Sequence, residues 1–262
     1  MVAGESEALM SSTNSNKQKV CSHVNISGIN ITDLTDLELE WHGNSEFVTT
    51  LNAELILLAR RLPRLRGIIN SGRVTVDGTW TKWALQKKIS SRIKVKKLSG
   101  ADLIYTVSID AVNKGKRVLL LGGNKEANLA AVKSLGELSG RSELISGYSP
   151  PLYPYPFPDF VQDDIQRRIT NEKPDIIILG LGVPKQEYWA DDNRLFLKTI
   201  GVSYVMFFGG AIDFAAGIYK RAPRILQNLG LESPIRFIQN PRRWRRELSK
   251  LSFVWLAITG QL

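Results

Sequence analysis

The chain is poor in the residues that build metal centres and disulfides. Among its 262 residues there is one cysteine, Cys21, and there are two histidines, His23 and His42. A single cysteine excludes a disulfide within the chain and a cysteine-based metal cluster. Because both histidines lie in the polar N-terminal part, we interpret them as solvated or packing side chains. We therefore expect no metal and no other cofactor.

Long apolar runs and a secretion signal are also lacking. No segment approaches the roughly 20 apolar residues of a membrane-spanning helix. Residues 1–19 are polar and rich in Ser and Asn, without the apolar core of a signal peptide. We therefore expect the protein to stay in the cytoplasm and residues 1–22 to form a disordered leader.

The common nucleotide-binding fingerprints are missing as well. Gly180-x-Gly182 lacks the third glycine of the dinucleotide motif and follows a late strand, and no Gly-Lys-Ser/Thr triplet marks a P-loop. This disfavours a nicotinamide-dependent dehydrogenase.

The most informative stretch that is present runs from Lys173 to Glu187. Four aliphatic residues, 176–179, lead directly into Gly180, Gly182 and Pro184. A short continuous apolar run that ends in glycines is typical of a parallel strand buried on both faces. We expect Lys185, Gln186 and Glu187 to occupy the first turn of the helix that follows.

Similar strands recur along the chain and alternate with helical segments. The predicted strands cover residues 47–50, 74–76, 117–121, 143–146, 176–179 and 203–208, with a small hairpin around Ser27-Gly28 and a short strand near Val95. This alternation predicts an α/β fold: a Rossmann-like, doubly wound, mostly parallel sheet over residues 23–217. We expect residues 218–262 to form a basic helical C-terminal appendage, and the chain is compatible with a homo-oligomer.

Parallel strands point their carboxyl ends in the same direction, so polar residues that follow them should meet on one rim. The residues predicted there are Thr50, Asn52, Asp77, Gly122, Gly123, Asn124, Gly182, Lys185, Gln186, Glu187 and Asp213. Two glycine turns beside helix N-termini suit a diphosphate. The predicted ligand is a nucleotide or sugar nucleotide.

Each candidate has a structural alternative. Asp77 could remove a proton from a hydroxyl, or it could cap the next helix or form an Asx turn. Gln186 could contact the ligand or be a solvated first-turn residue. Asp213 could act in the site, or cap a helix or brace a loop.

The C-terminal segment carries most of the charge. Residues 218–262 contain nine Lys and Arg residues and two acidic residues, so they carry +7 of the chain's net charge of +10. Trp244, Leu248, Leu251, Trp255 and Ile258 are spaced as one apolar stripe of a helix, and Arg242, Arg243, Arg245 and Arg246 lie around it.

A helix with Trp and Leu on one side and Arg on the other favours an anionic membrane surface. One alternative is a helix that packs on the core and exposes a solvated basic face. Another is a basic nucleic-acid-binding protein, which would need exposed aromatic residues near the charge to stack bases. The sequence lacks that pattern, and we expect no nucleic-acid partner.

Several segments also resemble a known family. They are TLNAE at 50–54, VDG at 76–78, SGADL at 99–103, LLLGG at 119–123, PDIIILGLGVPKQE at 174–187, GGAIDFAAG at 209–217 and RAPR…NPRRWRRE through 247. In order and spacing they resemble the WecG/TagA/CpsF glycosyltransferases, from Phe47 to Glu247. Within that family the chain also resembles the GumM-like branch of xanthan-type glucosyltransferases.

The resemblance implies an inverting, metal-independent enzyme at the cytoplasmic face of the inner membrane. Such an enzyme moves a sugar from a UDP-sugar to a polyprenyl-diphosphate-linked sugar. Thr50 and Asn52 match the family's T-x-N at the active-site rim, Asp77 its general base, and Gln186 the glutamine near the donor.

The chain also departs from the family pattern. Lys97 stands where the family has Arg, so a bidentate clamp on the diphosphate becomes a point charge. Trp80 replaces the second glycine of D-G-x-G, and Ile225 replaces a tryptophan. Arg221 and Arg224, in the RAPR segment, are further candidates for binding the anionic substrate.

Overall fold

A six-stranded parallel sheet organises the chain. We describe it from a computed structural model that covers residues 24–89, 93–219, 223, 226 and 244–262. Residues 244–250 are described by their backbone only. The strands are β3 (Glu46–Leu51), β4 (Arg73–Val76), β5 (Val118–Gly122), β6 (Ile145–Tyr148), β7 (Ile176–Gly180) and β8 (Tyr204–Phe207). Their order is β4-β3-β8-β7-β5-β6, and every pairing is parallel. This confirms the predicted α/β fold.

Helices fill the connections between the strands. They are α1 (Ala53–Arg61), α2 (Pro63–Asn70), α3 (Thr79–Lys88), α4 (Gly100–Asn113), α5 (Lys125–Ser139), α6 (Asp159–Glu172), α7 (Lys185–Asp192), α8 (Arg194–Ile200), α9 (Ala211–Ala215) and α10 (Trp244–Ile258). The predicted hairpin is confirmed as β1 (Val24–Ile26) paired antiparallel with β2 (Ile29–Ile31).

Strands buried on both faces explain the continuous apolar runs. In β5, Val118 and Leu120 belong to one core cluster, whereas Leu119 and Leu121 belong to another on the opposite face. Successive side chains of a strand point to opposite faces, so both sets must be apolar when helices cover both sides.

The direction of the chain reverses between β5 and β7. From β5 the chain proceeds to β6 at one edge of the sheet, whereas from β7 it proceeds to β8 toward the other edge. Right-handed crossovers then place the helices that follow these strands on opposite faces. The crevice between the carboxyl ends of β5 and β7 is therefore a topological switch point, where open α/β sheets bind ligands.

Two sequence predictions need correction. The strand predicted near Val95 is wrong: residues 93–99 form no strand, and isolated backbone bonds join them to neighbours, such as Lys96 N–H to Leu34 O at 2.8 Å. A second helix that was not predicted, α2, follows α1; its first residue is Pro63, a position where a missing N–H costs nothing. Glu143 and Leu144 lie in a short 3₁₀ turn, so β6 begins at Ile145.

Helix α3 was not predicted. Its ten residues include five that are Lys or Trp, all at exposed or half-buried positions, and it buries only Thr81, Ala84 and Leu85. Its apolar periodicity is therefore weak, so the sequence pattern does not predict a helix here.

Candidate functional site

The carboxyl ends of five neighbouring strands bring the predicted site residues onto one rim of the sheet. From one edge inward, Asp77 follows β4, Asn52 follows β3, Asp213 follows β8, Gln186 follows β7 and Asn124 follows β5. β4 and β7 are three strand spacings apart, about 14 Å. An elongated ligand could therefore extend from the switch point to Asp77.

The glycines at the switch point have different roles. Gly122 and Gly180 are paired in register, and a Cβ on Gly122 would lie 2.6 Å from the carbonyl carbon of Gly180. Gly123 N–H donates to Gly180 O at 3.0 Å, and a Cβ there would meet Ile212 at 3.2 Å. The close approach of the two strands therefore requires Gly122. Gly182, by contrast, adopts φ +86°, and a Cβ on it would meet no atom within 4 Å.

Several predicted residues hold the rim itself in place. Asn52 Oδ1 accepts from Leu55 N–H at 3.0 Å and caps α1, while Asn124 Oδ1 accepts from Ala127 N–H at 2.6 Å and caps α5. The buried Thr50 hydroxyl donates to Phe207 O at 3.3 Å. Lys185 Nζ donates to Tyr153 O at 3.3 Å and so joins α7 to a loop, residues 150–158, that contains five prolines.

Asp77 lies at the end of the edge strand β4 and is half-buried. Its N–H donates to Leu51 O at 2.8 Å, and the N-cap residue of α3 is Gly78, at φ +86°. Asp77 therefore does not occupy the capping position, whereas an Asx turn stays open. Leu98 N–H donates to Val76 O at 2.7 Å, which brings the half-buried Lys97 to the same end of β4.

Asp213 is half-buried in the short helix α9, directly after β8. Gly210 is the N-cap residue of this helix, and the Asp213 carbonyl accepts from Ile218 N–H at 3.0 Å. Asp213 is therefore not the capping residue, and its backbone helps to close the turn after α9.

A family model for "Glycosyl transferase WecG/TagA/CpsF family" matches residues 20–262. The chain belongs to this glycosyltransferase family. It is also 28% identical over 212 residues to a Bacillus spizizenii protein, covering 79% of this chain and 77% of that one. The relative is named N-acetylglucosaminyldiphosphoundecaprenol N-acetyl-beta-D-mannosaminyltransferase. Membership of the GumM-like branch stays a prediction.

In this glycosyltransferase two residues of the PKQE segment are buried, contrary to the solvated alternative for Gln186. Gln186 is 1% exposed and Glu187 0%, and Gln186 Nε2 donates to Glu187 Oε1 at 2.8 Å. Adjacent residues on a helix seldom face each other, so this pair is unusual. Among the described residues, Gln186 Oε1 and Glu187 Oε2 have no hydrogen-bond partner. A buried acceptor without a hydrogen-bond partner lowers the stability of the fold by about 1–3 kcal/mol. Such groups occur at sites that trade stability for function.

The C-terminal prediction is only partly within the described residues. Arg221, Arg224, Arg242 and Arg243 lie outside them, as does the predicted leader, and Trp244, Arg245, Arg246 and Leu248 are described only as backbone of α10. In the remainder of that helix, Leu251, Trp255 and Ile258 are 68%, 59% and 67% exposed. Phe253 is fully buried, and α10 packs against α1 and α3.

The described members of the apolar stripe, Leu251, Trp255 and Ile258, therefore face away from the core, and Phe253 anchors the helix instead. No helix within the described part of the chain is long and apolar enough to span a membrane.

Two residues near the rim were missed by sequence reasoning. Asn128 is 2% exposed, and its Nδ2 donates to Leu120 O at 2.9 Å and Gly122 O at 2.8 Å, which fixes the end of β5. A signal was available, because an Asn four residues after the Asn124 cap lies on the same helix face. Trp80, at the start of α3, is 39% exposed.

Because Glu187 is buried, its protonation makes the stability of the protein depend on pH. Desolvation raises its pKa from 4.5 to about 7, while hydrogen bonds from Gln186 and from its own backbone act in the opposite direction. The native state therefore binds this proton more tightly than the unfolded state does. The resulting stabilisation is complete below about pH 4.5 and is lost as the pH rises through about 7.

We predict that Glu187→Gln, which keeps an acceptor but no charge, stabilises the protein only at higher pH. Its unfolding free energy should match that of the parent near pH 4.5 and exceed it by at most about 3 kcal/mol above pH 8. Thermal midpoints measured across this range check the prediction, with the exposed Glu137→Gln as a matched control. A stability difference that does not change with pH would contradict it.

Proposed function

We propose that this chain is an inverting, metal-independent hexosyltransferase. It moves a sugar from a UDP-sugar to a polyprenyl-diphosphate-linked sugar and forms a β-linkage in a bacterial exopolysaccharide or other cell-surface polymer. Glucose and N-acetylmannosamine are the two candidate sugars. The observation that carries the proposal is the rim itself: Asp77 follows β4, which lies three strand spacings, about 14 Å, from β7 at the switch point.

In the proposed reaction Asp77 takes the proton of the acceptor hydroxyl. The freed oxygen attacks the anomeric carbon of the donor and forms the new glycosidic bond while the bond to UDP breaks, so the configuration inverts. UDP leaves with its electron pair and carries the additional negative charge. A carboxylate acts in this way only within hydrogen-bond reach of the hydroxyl.

The leaving diphosphate needs positive potential, which the switch point supplies. The N-termini of α5 and α7 both lie there, and unpaired N–H groups at helix N-termini favour anions. Gly182 provides an unobstructed backbone approach, and Lys185 starts α7 beside it. Lys97 lies by β4, near Asp77, so in this arrangement it interacts with the sugar end of the donor diphosphate. Arg221 or Arg224 is proposed to complete the binding of the diphosphate.

A panel of ligands tests the substrate class. We predict that UDP, UDP-glucose or UDP-N-acetylmannosamine raises the melting temperature by several degrees when present at about 100 times its Kd, which corresponds to about 2.7 kcal/mol. GDP-mannose, NAD and a DNA duplex serve as comparisons under the same conditions. Stabilisation by DNA but not by UDP would contradict the proposal.

We predict that Asp77→Asn and Asp77→Ala lose about 10² to 10⁴-fold in turnover, because general-base catalysis contributes that much. UDP binding and the melting temperature should stay close to those of the parent. The measurement is single-turnover transfer to a lipid-diphosphate sugar at neutral pH. Asp102→Asn, at an exposed position of α4, is the control. Near-full activity of the Asn variant would leave Asp77 with a turn-forming role.

We also propose that α10 holds the enzyme at the membrane. A polyprenyl acceptor keeps its reactive sugar close to the bilayer, so the domain must be retained there. Leu251, Trp255 and Ile258 are exposed on one side of α10, and residues 218–262, which include α10, carry +7 of the net charge of +10. Each Lys or Arg near an anionic leaflet contributes about 1 kcal/mol, and the apolar side chains add a component that salt does not screen.

We predict that replacing Leu251, Trp255 and Ile258 together by Ser weakens sedimentation with anionic vesicles even at high salt. Because these side chains are exposed, the melting temperature should change little, and Leu138→Ser on the exposed face of α5 is the control. Reversing Arg242, Arg243, Arg245 and Arg246 to Glu should abolish binding at low salt. Unchanged sedimentation of both variants would refute the membrane role. Removing the C-terminal segment from residue 218 onward is a poorer test, because it also removes Phe253 from the core and so lowers the stability of the domain.

A further inference from the structure

One face of α3 carries aromatic and basic side chains, of which Trp80 and Lys87 are exposed while Trp83 packs in part against the core. Trp80, Trp83 and Lys87 are three and four residues apart, so they lie on the same side of the helix. The rings of Trp80 and Trp83 are edge to face, with centroids 6.3 Å apart, and Lys87 Nζ lies 4.0 Å from the centre of the Trp83 ring. Thr81, Ala84 and Leu85, on another side, are the residues that α3 buries.

This face begins beside the proposed base. Trp80 is the second residue of α3 and comes three residues after Asp77. Helical side chains tilt toward the N-terminus, so the indole of Trp80 leans toward the rim. It is 39% exposed, although the contact with Trp83 holds its ring in a defined orientation. An exposed, oriented indole next to a catalytic carboxylate offers a ready binding surface.

The other end of α3 meets the C-terminal helix. Lys88 Nζ donates to the carbonyl of Leu262, and α10 packs against α3. Ten residues of helix span about 15 Å. The face defined by Trp80, Trp83 and Lys87 therefore starts beside Asp77 and runs along α3 toward the end of the helix that is bonded to Leu262. Its length along the axis from Trp80 to Lys87, about 10 Å, matches one sugar joined to a diphosphate.

We propose that this face of α3 is the acceptor subsite, an inference that rests on the proposed function. The indole of Trp80 packs against the C–H face of the acceptor sugar and holds its hydroxyl toward Asp77. Lys87 lies further along the helix, where it attracts the diphosphate that links the sugar to the lipid. Aromatic rings supply rigid apolar area with a preferred geometry, which suits a ring that must be held in one orientation.

Positive charge at one end of the face and an apolar ring at the other select this occupant. The donor nucleotide is proposed at the switch point, three strands away from β4, so it does not compete for α3. A tryptophan at this position could instead insert in the bilayer interface. The two roles separate when the acceptor is water-soluble and no membrane is present.

The test is steady-state transfer by the full chain to a short-chain alkyl-diphosphate sugar, without vesicles. We expect Trp80→Ser to raise the KM for this acceptor about three- to tenfold, with the KM for the UDP-sugar changed less than about twofold. Trp80→Phe should restore part of the loss, because it keeps a ring. Lys87→Ser should raise the KM for the diphosphate acceptor, but not for an alkyl glycoside that lacks the diphosphate. Leu138→Ser is the matched surface control.

The outcomes distinguish the subsite from the reaction. If the parent transfers sugar and Trp80→Ser leaves the acceptor KM unchanged, or raises the donor KM equally, the subsite is wrong and the proposed function stands. An effect of Trp80→Ser that occurs only with vesicles also overturns the subsite and favours a membrane contact. If the parent transfers no sugar from any UDP donor, the proposed function fails and the subsite fails with it.

Discussion

The close pairing of β5 with β7 is the constraint on which the rest of the site depends. Gly122 and Gly180 end these strands in register, and a side chain on Gly122 would collide with the backbone of Gly180. Asn128 then donates to the carbonyl groups of Leu120 and Gly122 and so fixes the end of β5. With the strands held this close, α5 and α7 both begin at the same crevice. Two helix N-termini and an open glycine turn thus converge where a diphosphate would be bound.

The rim also shows where the fold gives up stability. Gln186 and Glu187 are fully packed, yet each keeps a buried oxygen without a partner among the described residues. Burial also raises the pKa of Glu187 to about 7, so its carboxyl changes charge near neutral pH. Other polar groups of the rim are satisfied, as the caps of α1 and α5 illustrate. Two adjacent buried side chains that both keep an unsatisfied oxygen at a helix N-terminus are a feature that functional sites often show.

The C-terminal helix α10 has a side chain buried in the core and several apolar side chains exposed to solvent. Phe253 enters the core beside α1, so α10 is attached to the domain, while Leu251, Trp255 and Ile258 face outward. An apolar stripe that does not face the core is unusual in a globular domain, which is why we propose it as the membrane contact. Because α10 also contacts α3, the helix proposed to bind the acceptor lies beside the helix proposed to bind the membrane.

The sequence by itself determined the parallel sheet, the positions of its main strands to within about two residues, the glycine turns that end β5 and β7, and the family. These features are local: apolar runs and glycine stops depend on neighbours in the chain. The sequence did not predict α3, the exposed Trp80 or the absence of a strand near Val95. Nor did it predict that Gln186 and Glu187 are buried together. Only the tertiary structure decided these, because exposure and pairing depend on which distant elements cover a residue, and no periodicity within one segment records that.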